Sequence, residues 1–289
     1  MKKELTNLIC FTAEKMGAFS AIRHFFAKNK ITIINYHDPS PEIFEQHIRY
    51  FSRCYSFISI DTAAQAIKGN AVPQLPPFPM VITFDDGHAG NYKLLPIFQT
   101  YNIPATIYVT SGLTGTNRHF WWKELRSKNL EDKVESLKKL SSAEFSKCLS
   151  ELCGYSFDQE YAERQALDWK ELRELQKAGI TIGAHSVNHP LLDQCTQDEL
   201  EYECAESKRI LENGLQSEII HFALPNGNHS PQVIEAVQKA DFQTNRTIIP
   251  DWNTQDTSLF MLNNFGISDC AGIFYAAAQA AGGAKWKRH

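Results

Sequence analysis

The sequence predicts an α/β protein built as an incomplete parallel barrel. Three observations predict it. Short β-rich runs alternate with helical patterns along most of the 289 residues, which implies βαβ units and a parallel sheet. The strands number about seven, too few for a standard eight-stranded barrel. Four clusters of chemistry-bearing residues each fall where a predicted strand ends, and in a parallel barrel the strand C-termini open on one face.

Residues 1–30 come first. Leu5, Leu8, Ile9, Met16, Phe19, Ile22 and Phe26 recur at helical spacing and predict an amphipathic N-terminal helix. Packing on the domain is the simpler reading of its apolar face; lying on a membrane surface is the alternative. Glu4, Glu14, Lys15 and Arg23 interrupt the apolar stretch, so it does not read as a secretory signal.

Residues 31–289 form the barrel. A strand is expected over 31–36, followed by a helix that Pro41 opens, through Phe44, Ile48 and Phe51. A proline-rich connector runs from Pro73 to Pro79. A strand over 80–84, a helix over 91–100 and a strand over 105–109 follow. Later strands are expected near 180–184, 219–224, 242–248 and 261–265. Helices are expected near 169–177, 197–213, 230–239 and 272–281. The charged, helix-forming segment of about 114–167 breaks this rhythm and reads as a helical insertion in one βα loop. Such loops border the mouth of a barrel, although a charged helical face is also what a merely solvated excursion shows. Trp121-Trp122 at its start would line a site or anchor the insertion.

Composition excludes several classes. Apolar residues make up 43% and charged residues 21%, with 18 Phe, 10 Tyr and 5 Trp, which is ordinary for a folded protein and not for a disordered one. A net charge of −4 offers no broad basic face to nucleic acid. The seven cysteines are odd in number and form no Cys-x-x-Cys pair, which argues against a disulfide framework and a thiolate zinc cluster. Reduced thiols in the cytosol are the simplest reading. The uncharged run from Leu94 to Asn117 contains two prolines and is no transmembrane span. A cytoplasmic protein is therefore expected. The N-terminal helix and the basic end Lys285-Trp-Lys-Arg-His289 leave contact with the inner membrane face open.

The sharpest chemical signal is Thr83-Phe84-Asp85-Asp86-Gly87. Successive strand side chains point opposite ways, so two acids at a strand end can take different roles. Alone, the triplet would read as an Asx turn or a helix cap. The second signal is His185-Ser186-Val187-Asn188-His189, after a strand. Two histidines four apart can share one side of a helical turn and reach one ion. Asp86 would complete a His₂-carboxylate set with open positions for water and substrate, suited to zinc, cobalt or non-haem iron. The third is Phe222-Ala223-Leu224-Pro225-Asn226-Gly227, an apolar strand ending in a turn. The fourth is Tyr36-His37 at the end of the first strand. By itself each of these last two would be structural.

Thr-Phe-Asp-Asp-Gly followed by His-Ser-x-x-His resembles the polysaccharide deacetylase family, the NodB-homology or carbohydrate esterase 4 group. The resemblance spans residues 31–267. It implies a distorted, incomplete (β/α)7 barrel and a divalent-metal hydrolase that removes N-acetyl, sometimes O-acetyl, groups from sugars. By matching motif, Asp85 is implied as catalytic base, and Asp86, His185 and His189 as ligands of a divalent ion, zinc first, with cobalt, nickel or iron as substitutes. Pro225 and Asn226 are implied as groove wall and oxyanion donor. The implied partner is an acetylated amino sugar, a polysaccharide or a lipid-linked glycan precursor.

The sequence departs from the family pattern at two places. Ala223 stands where many members carry an arginine that tethers the base, and no Leu-x-His follows near the C-terminus to supply the acid. Tyr36-His37 is similar to the arrangement of a circularly permuted subgroup, which implies His37 as general acid. His229, His88 and His221 are the other candidates. Asp251-Trp252 takes no role. Two rival readings share this site: hydrolysis of another C–N bond such as a formamide, and a catalytically inactive carbohydrate-binding module.

Overall fold

The computed structural model describes residues 2–69 and 75–283. The basic end beginning at Lys285 lies outside them. Eight parallel strands are present: β1 (Thr32–Tyr36), β2 (Ser56–Phe57), β3 (Pro79–Phe84), β4 (Thr106–Val109), β5 (Thr181–Ala184), β6 (His221–Ala223), β7 (Thr244–Arg246) and β8 (Phe265–Gly266). Seven of them form one path in the order β7-β6-β5-β4-β3-β1-β8, and β2 pairs with β3 beside that path. This is the incomplete, distorted seven-strand barrel that the sequence predicts. The two-residue β2 is too short to leave a pattern.

Thirteen α-helices accompany the strands among the described residues. Their ranges are α1 (Lys2–Lys15), α2 (Ala18–Phe26), α3 (Pro41–Phe51), α4 (Ile60–Ile67), α5 (Leu95–Thr100), α6 (Trp121–Ser127), α7 (Val134–Leu137), α8 (Ser142–Cys153), α9 (Trp169–Lys177), α10 (Gln197–Glu201), α11 (Ser207–Leu215), α12 (Pro231–Lys239) and α13 (Ile273–Ala280). Local chemistry starts them. Ser40, Ser59 and Ser230 cap α3, α4 and α12 by accepting from the backbone three residues on, and Asp168 closes a capping box with Glu171 at α9.

The period-2 alternation of the strands builds two environments. Ile34, Ile82, Phe84, Ile107, Ile182 and Phe222 pack outward into one core with the helices. The alternate positions Asn35, Thr83, Tyr108, Gly183 and Arg246 turn to the barrel interior. The interior is tight. A Cβ at Gly183 would stand 2.6 Å from the Tyr108 ring and 2.9 Å from the His221 carbonyl oxygen. Glycine there makes room for Tyr108, over whose ring the Arg246 guanidinium lies at 5.2 Å.

Three expectations shift in detail. The strand expected over 261–265 begins later, at Phe265, because Leu262 is spent on a parallel bridge to Arg246. Leu262 N–H donates to Asn245, and Ile267 N–H donates to Asn35 on β1 at 2.8 Å. This segment links the two ends of the path. The helix expected over 197–213 is divided by a π-turn at Tyr202–Glu206. The single N-terminal helix is two helices, broken at Gly17 with φ 77°. Its apolar residues divide as well. Phe19 is buried and Phe11 meets Phe274 edge-on at 4.9 Å, whereas Leu8, Ile9, Met16, Phe25 and Phe26 are exposed.

Between β4 and β5 the chain makes its long excursion. Trp121, Leu125, Leu137, Phe145, Leu149 and Tyr155 give it a small core of its own. Its far end returns to the barrel mouth, where Leu167 N–H donates to Gly87 and Ala89 N–H to Gln165. No disulfide links cysteines of the described residues, and no helix there is long and apolar enough to cross a membrane.

Candidate active site

Asp85 follows directly on β3 and is buried. Both its carboxylate oxygens are engaged. Asn35 Nδ2 donates to Oδ2 at 2.7 Å, and Arg246 Nη2 pairs with Oδ1. Arg246 is itself buried, with its Nη1 donating to the Thr247 carbonyl. The arginine that Ala223 seemed to deny is therefore present, one strand further on. A cation in the middle of the apolar-polar run Phe242–Ile248 was the available signal, since a buried arginine requires a buried acid.

Asp86 turns the chain with φ 71°. This left-handed step, costly for a residue other than glycine, brings both adjacent carboxylates into one cavity instead of onto opposite faces. The His185-Ser-Val-Asn-His189 segment does the same without a helical turn. Ser186 has φ 62° and His189 φ 56°, and the two imidazoles stand 4.9 Å apart. Each His Nε2 points at Asp86 Oδ1, His185 at 3.5 Å and His189 at 3.4 Å. Among the described residues Asp86, His185 and His189 form the one group of buried side chains able to hold a metal ion, with ligand atoms within 4.8 Å of one another.

The donor chemistry fits a divalent ion. His185 Nδ1 donates to the Ala223 carbonyl at 2.8 Å, which leaves the Nε2 lone pair free for a metal. Burial pushes His189 down to about 3, against the pull of Asp86, so its ring is neutral. Burial alone would raise Asp86, but the adjacent His185 and His88 rings outweigh it and hold the carboxyl well below the usual carboxylate range. His88 Nε2 meets Asp86 Oδ2 at 3.0 Å and turns Oδ1 toward the two histidines. Two neutral imidazoles and one carboxylate suit zinc and neighbouring first-row ions.

These groups line a cavity of about 800 Å³ together with His37, Asn226, Trp121 and Trp122. His37 is exposed at this mouth yet crowded by protein. Burial pulls its pKa down, but Asp86, Asp85 and Asp269 outweigh that and raise it above its ordinary value. Its peptide is clamped on both sides. Asp269 accepts from the His37 and Asp38 N–H groups at 3.0 and 3.1 Å, and Asn91 Nδ2 donates to the His37 carbonyl at 2.7 Å. Asn226, with φ 54°, presents a buried Nδ2 that has no partner. Pro225 is buried in the turn and does not line the cavity.

The other histidines are placed elsewhere. His88 is tied to Asp86. His229 turns to the Gly227 carbonyl outside the cavity. His221 lies at the start of β6, held by Thr244 and Asp61. The insertion contributes directly. Trp121 Nε1 donates to the His189 carbonyl at 3.2 Å, and the Trp122 ring lies 4.4 Å from the His189 ring.

A sequence model of the polysaccharide deacetylase family matches residues 74–245, more than half of the chain. The chain belongs to the polysaccharide deacetylase family. The Bacillus subtilis (strain 168) protein YxkH is 20% identical over 190 residues, covering 65% of this chain and 51% of its own length. The chain thus spans about half the length of that curated relative. Two solved structures share the polysaccharide deacetylase fold seen here. The Streptococcus pyogenes deacetylase PplD, in complex with acetate, has a TM-score of 0.61 at 21% identity, over 82% of this chain and 92% of its own. IcaB from Ammonifex degensii has a TM-score of 0.63 at 16% identity, over 88% and 97%.

Two outcomes are expected. Arg246→Met leaves Asp85 with no charged partner among the described residues, and should cost about 3–5 kcal/mol in denaturant unfolding. A loss below about 1 kcal/mol would mean that Asp85 is well solvated. The second concerns acid. His189 titrates near 6.5 when unfolded and near 3 when folded. Between those values the unfolded chain binds the extra proton, so folding stability rises with pH across that window and is lost as pH falls below about 6.5. The urea midpoint of the EDTA-treated protein should drop from pH 7 to pH 5, and His189→Asn should flatten the drop. An unchanged slope in the variant contradicts a buried neutral His189.

Proposed function

We propose that this chain is a metal-dependent N-deacetylase acting on an acetylated amino sugar, within a polysaccharide or a lipid-linked glycan precursor. One observation carries the reading. A carboxylate oriented by an arginine and an amide stands beside a His₂-carboxylate set, with a histidine of raised pKa in the same cavity.

Asp86, His185 and His189 would hold the ion, zinc first by ligand type, and cobalt, nickel or iron would fit the same donors. When bound, such an ion supplies Lewis acidity at the acetyl carbonyl and makes water easier to deprotonate. Asp85 accepts the proton of the attacking water. Its bonds to Arg246 and Asn35 fix the orientation of the carboxylate. The C–N bond then breaks, and protonated His37 gives its proton to the departing amine, which is otherwise a very poor leaving group. Neighbouring carboxylates keep His37 protonated to higher pH than a free imidazole. The partnerless Asn226 amide is a donor for the oxygen that gains charge in the transition state. Acetate and a free amino sugar result, so atoms and charge balance.

Trp122, half-buried at the rim, suits stacking on a sugar face. The apolar residues exposed on α1 and α2 suit a cytoplasmic membrane surface that presents a lipid-linked glycan.

Acetate release from N-acetylated and formate release from N-formylated amino-sugar oligomers test the reading, with metal content measured in parallel. Asp85→Asn should retain about one ion per chain and lose roughly 10²–10⁴-fold in rate. His37→Ala should retain the ion and slow turnover by a comparable factor. Unchanged turnover in either variant removes that residue's role. A preference for the formyl substrate would redirect the reading to deformylation. Binding of the glycan without release of acetate or formate would favour an inactive binding module.

A further inference from the structure

Between the two histidines of the site lies a loop with one hydrogen bond of its own, from His189 N–H to Ser186 Oγ at 3.0 Å. Ser186 and His189 are both left-handed, each costing about 1–3 kcal/mol in backbone strain. The loop is shut away from water, with Val187 3% exposed. Its peptide groups therefore need partners from outside. Some carbonyls find them across the mouth: Ser111 N–H donates to Ser186, and Gly112 N–H donates to Val187 at 2.9 Å. The approach there is so close that a Cβ on Gly112 would stand 2.6 Å from the Val187 oxygen.

The N–H groups of the two central residues converge on one carboxylate. Val187 N–H and Asn188 N–H donate to Glu203 Oε2 at 2.8 and 2.9 Å, and Asn188 Nδ2 donates to Oε1 at 2.9 Å. Glu203 is 6% exposed, and no Lys, Arg or His of the described residues is paired with it. A buried carboxylate without a cation is unusual. Its only compensation is this loop. The π-turn at Tyr202–Glu206 explains how it gets there. Leu200, Cys204, Ser207 and Leu211 keep the buried face of the helix, and the wider turn admits Glu203 to the same interior beside Cys204. Turns of this kind are rare and concentrate at functional sites.

We infer that Glu203 is a positioning residue that holds the 185–189 loop so that His185 and His189 face one ion; the inference rests on the metal-site reading above. Glu203 does not line the cavity that holds Asp86, His185 and His189. It acts through backbone N–H groups on the residues between the two ligands. Its loss lets the strained loop relax and the imidazoles drift apart.

The test is zinc affinity, by competition with a chromophoric chelator, for wild type, Glu203→Gln and Asn188→Ala. Thermal melting of each metal-free protein and the visible spectrum of each cobalt-loaded protein are recorded beside it. Glu203→Gln keeps the shape but puts an NH₂ where one acceptor oxygen stood. It should weaken zinc binding roughly ten- to hundredfold, as loss of a group that orients ligands does, and alter the cobalt spectrum. A lowered melting temperature with unchanged zinc affinity and spectrum overturns the inference and leaves Glu203 a structural residue. If Glu203→Gln does not fold, Asn188→Ala decides. It removes one bond to the carboxylate and no charge, and should weaken zinc by a smaller factor of the same sign; no change overturns the inference. A wild-type protein that binds no zinc fails at the metal reading itself, and Glu203 falls with it.

Discussion

The ion pair between Asp85 and Arg246 is the constraint on which the rest of the structure depends. It joins β3 to β7, which are not neighbours in the sheet, across the interior of the barrel. Desolvating both charges costs several kcal/mol each, so the pair survives only with its remaining hydrogen bonds made. Asn35 from β1 and the Thr247 carbonyl make two of them, and Arg246 Nε is left without a partner. Tyr108 lies under the guanidinium, and Gly183 leaves space for Tyr108. Residues of β1 and β7 thus meet the carboxylate that follows β3, and β4 and β5 shape the space around the arginine. The same arginine carries a parallel bridge to Leu262, on the segment that leads from β7 to β8.

Around this rigid centre the loops are bent against their own preferences. Asp86, Ser186, His189 and Asn226 are all left-handed, and all stand just beyond strand ends. Isolated loops would not keep these conformations. Here each is held by something buried. His88 steers Asp86, the Ala223 carbonyl orients His185, Trp121 grips the His189 carbonyl, and Glu203 takes the N–H groups between the histidines. The strain is concentrated where ligands must converge, and the hydrogen bonds that offset it come from four different parts of the chain.

The insertion belongs to the same economy. A charged helical segment in a βα loop reads in sequence as a solvated excursion as readily as a functional one. Its own apolar cluster makes it a firm body, and its return strand-like contacts bind it to Gly87 and His88. Trp122, Lys123 and Arg126 consequently reach the cavity from one fixed side. On the proposed function those side chains would bear on the choice of glycan, and the residues at the strand ends on the chemistry.

Local pattern and residue type alone determined much of this protein. Alternating β and helical periods, with the acids of Asp85-Asp86-Gly87 and the histidines of His185-Ser-x-x-His189 at strand ends, were enough for the parallel barrel and for which residues gather at its mouth. Parallel topology requires that gathering whatever the separation in sequence. Arg246 and Glu203 were not legible in that way. One reads as a polar position in a strand and the other as an acid on a helix. Each acquires meaning only from a partner far along the chain, 161 residues away for Arg246 and 15 or 16 for Glu203. The left-handed corners are likewise invisible, because no residue other than glycine advertises a positive φ. Sequence reports what a residue prefers; only the tertiary structure decides which buried charge must meet which, since that depends on the strand register and on the space that Gly183 leaves open.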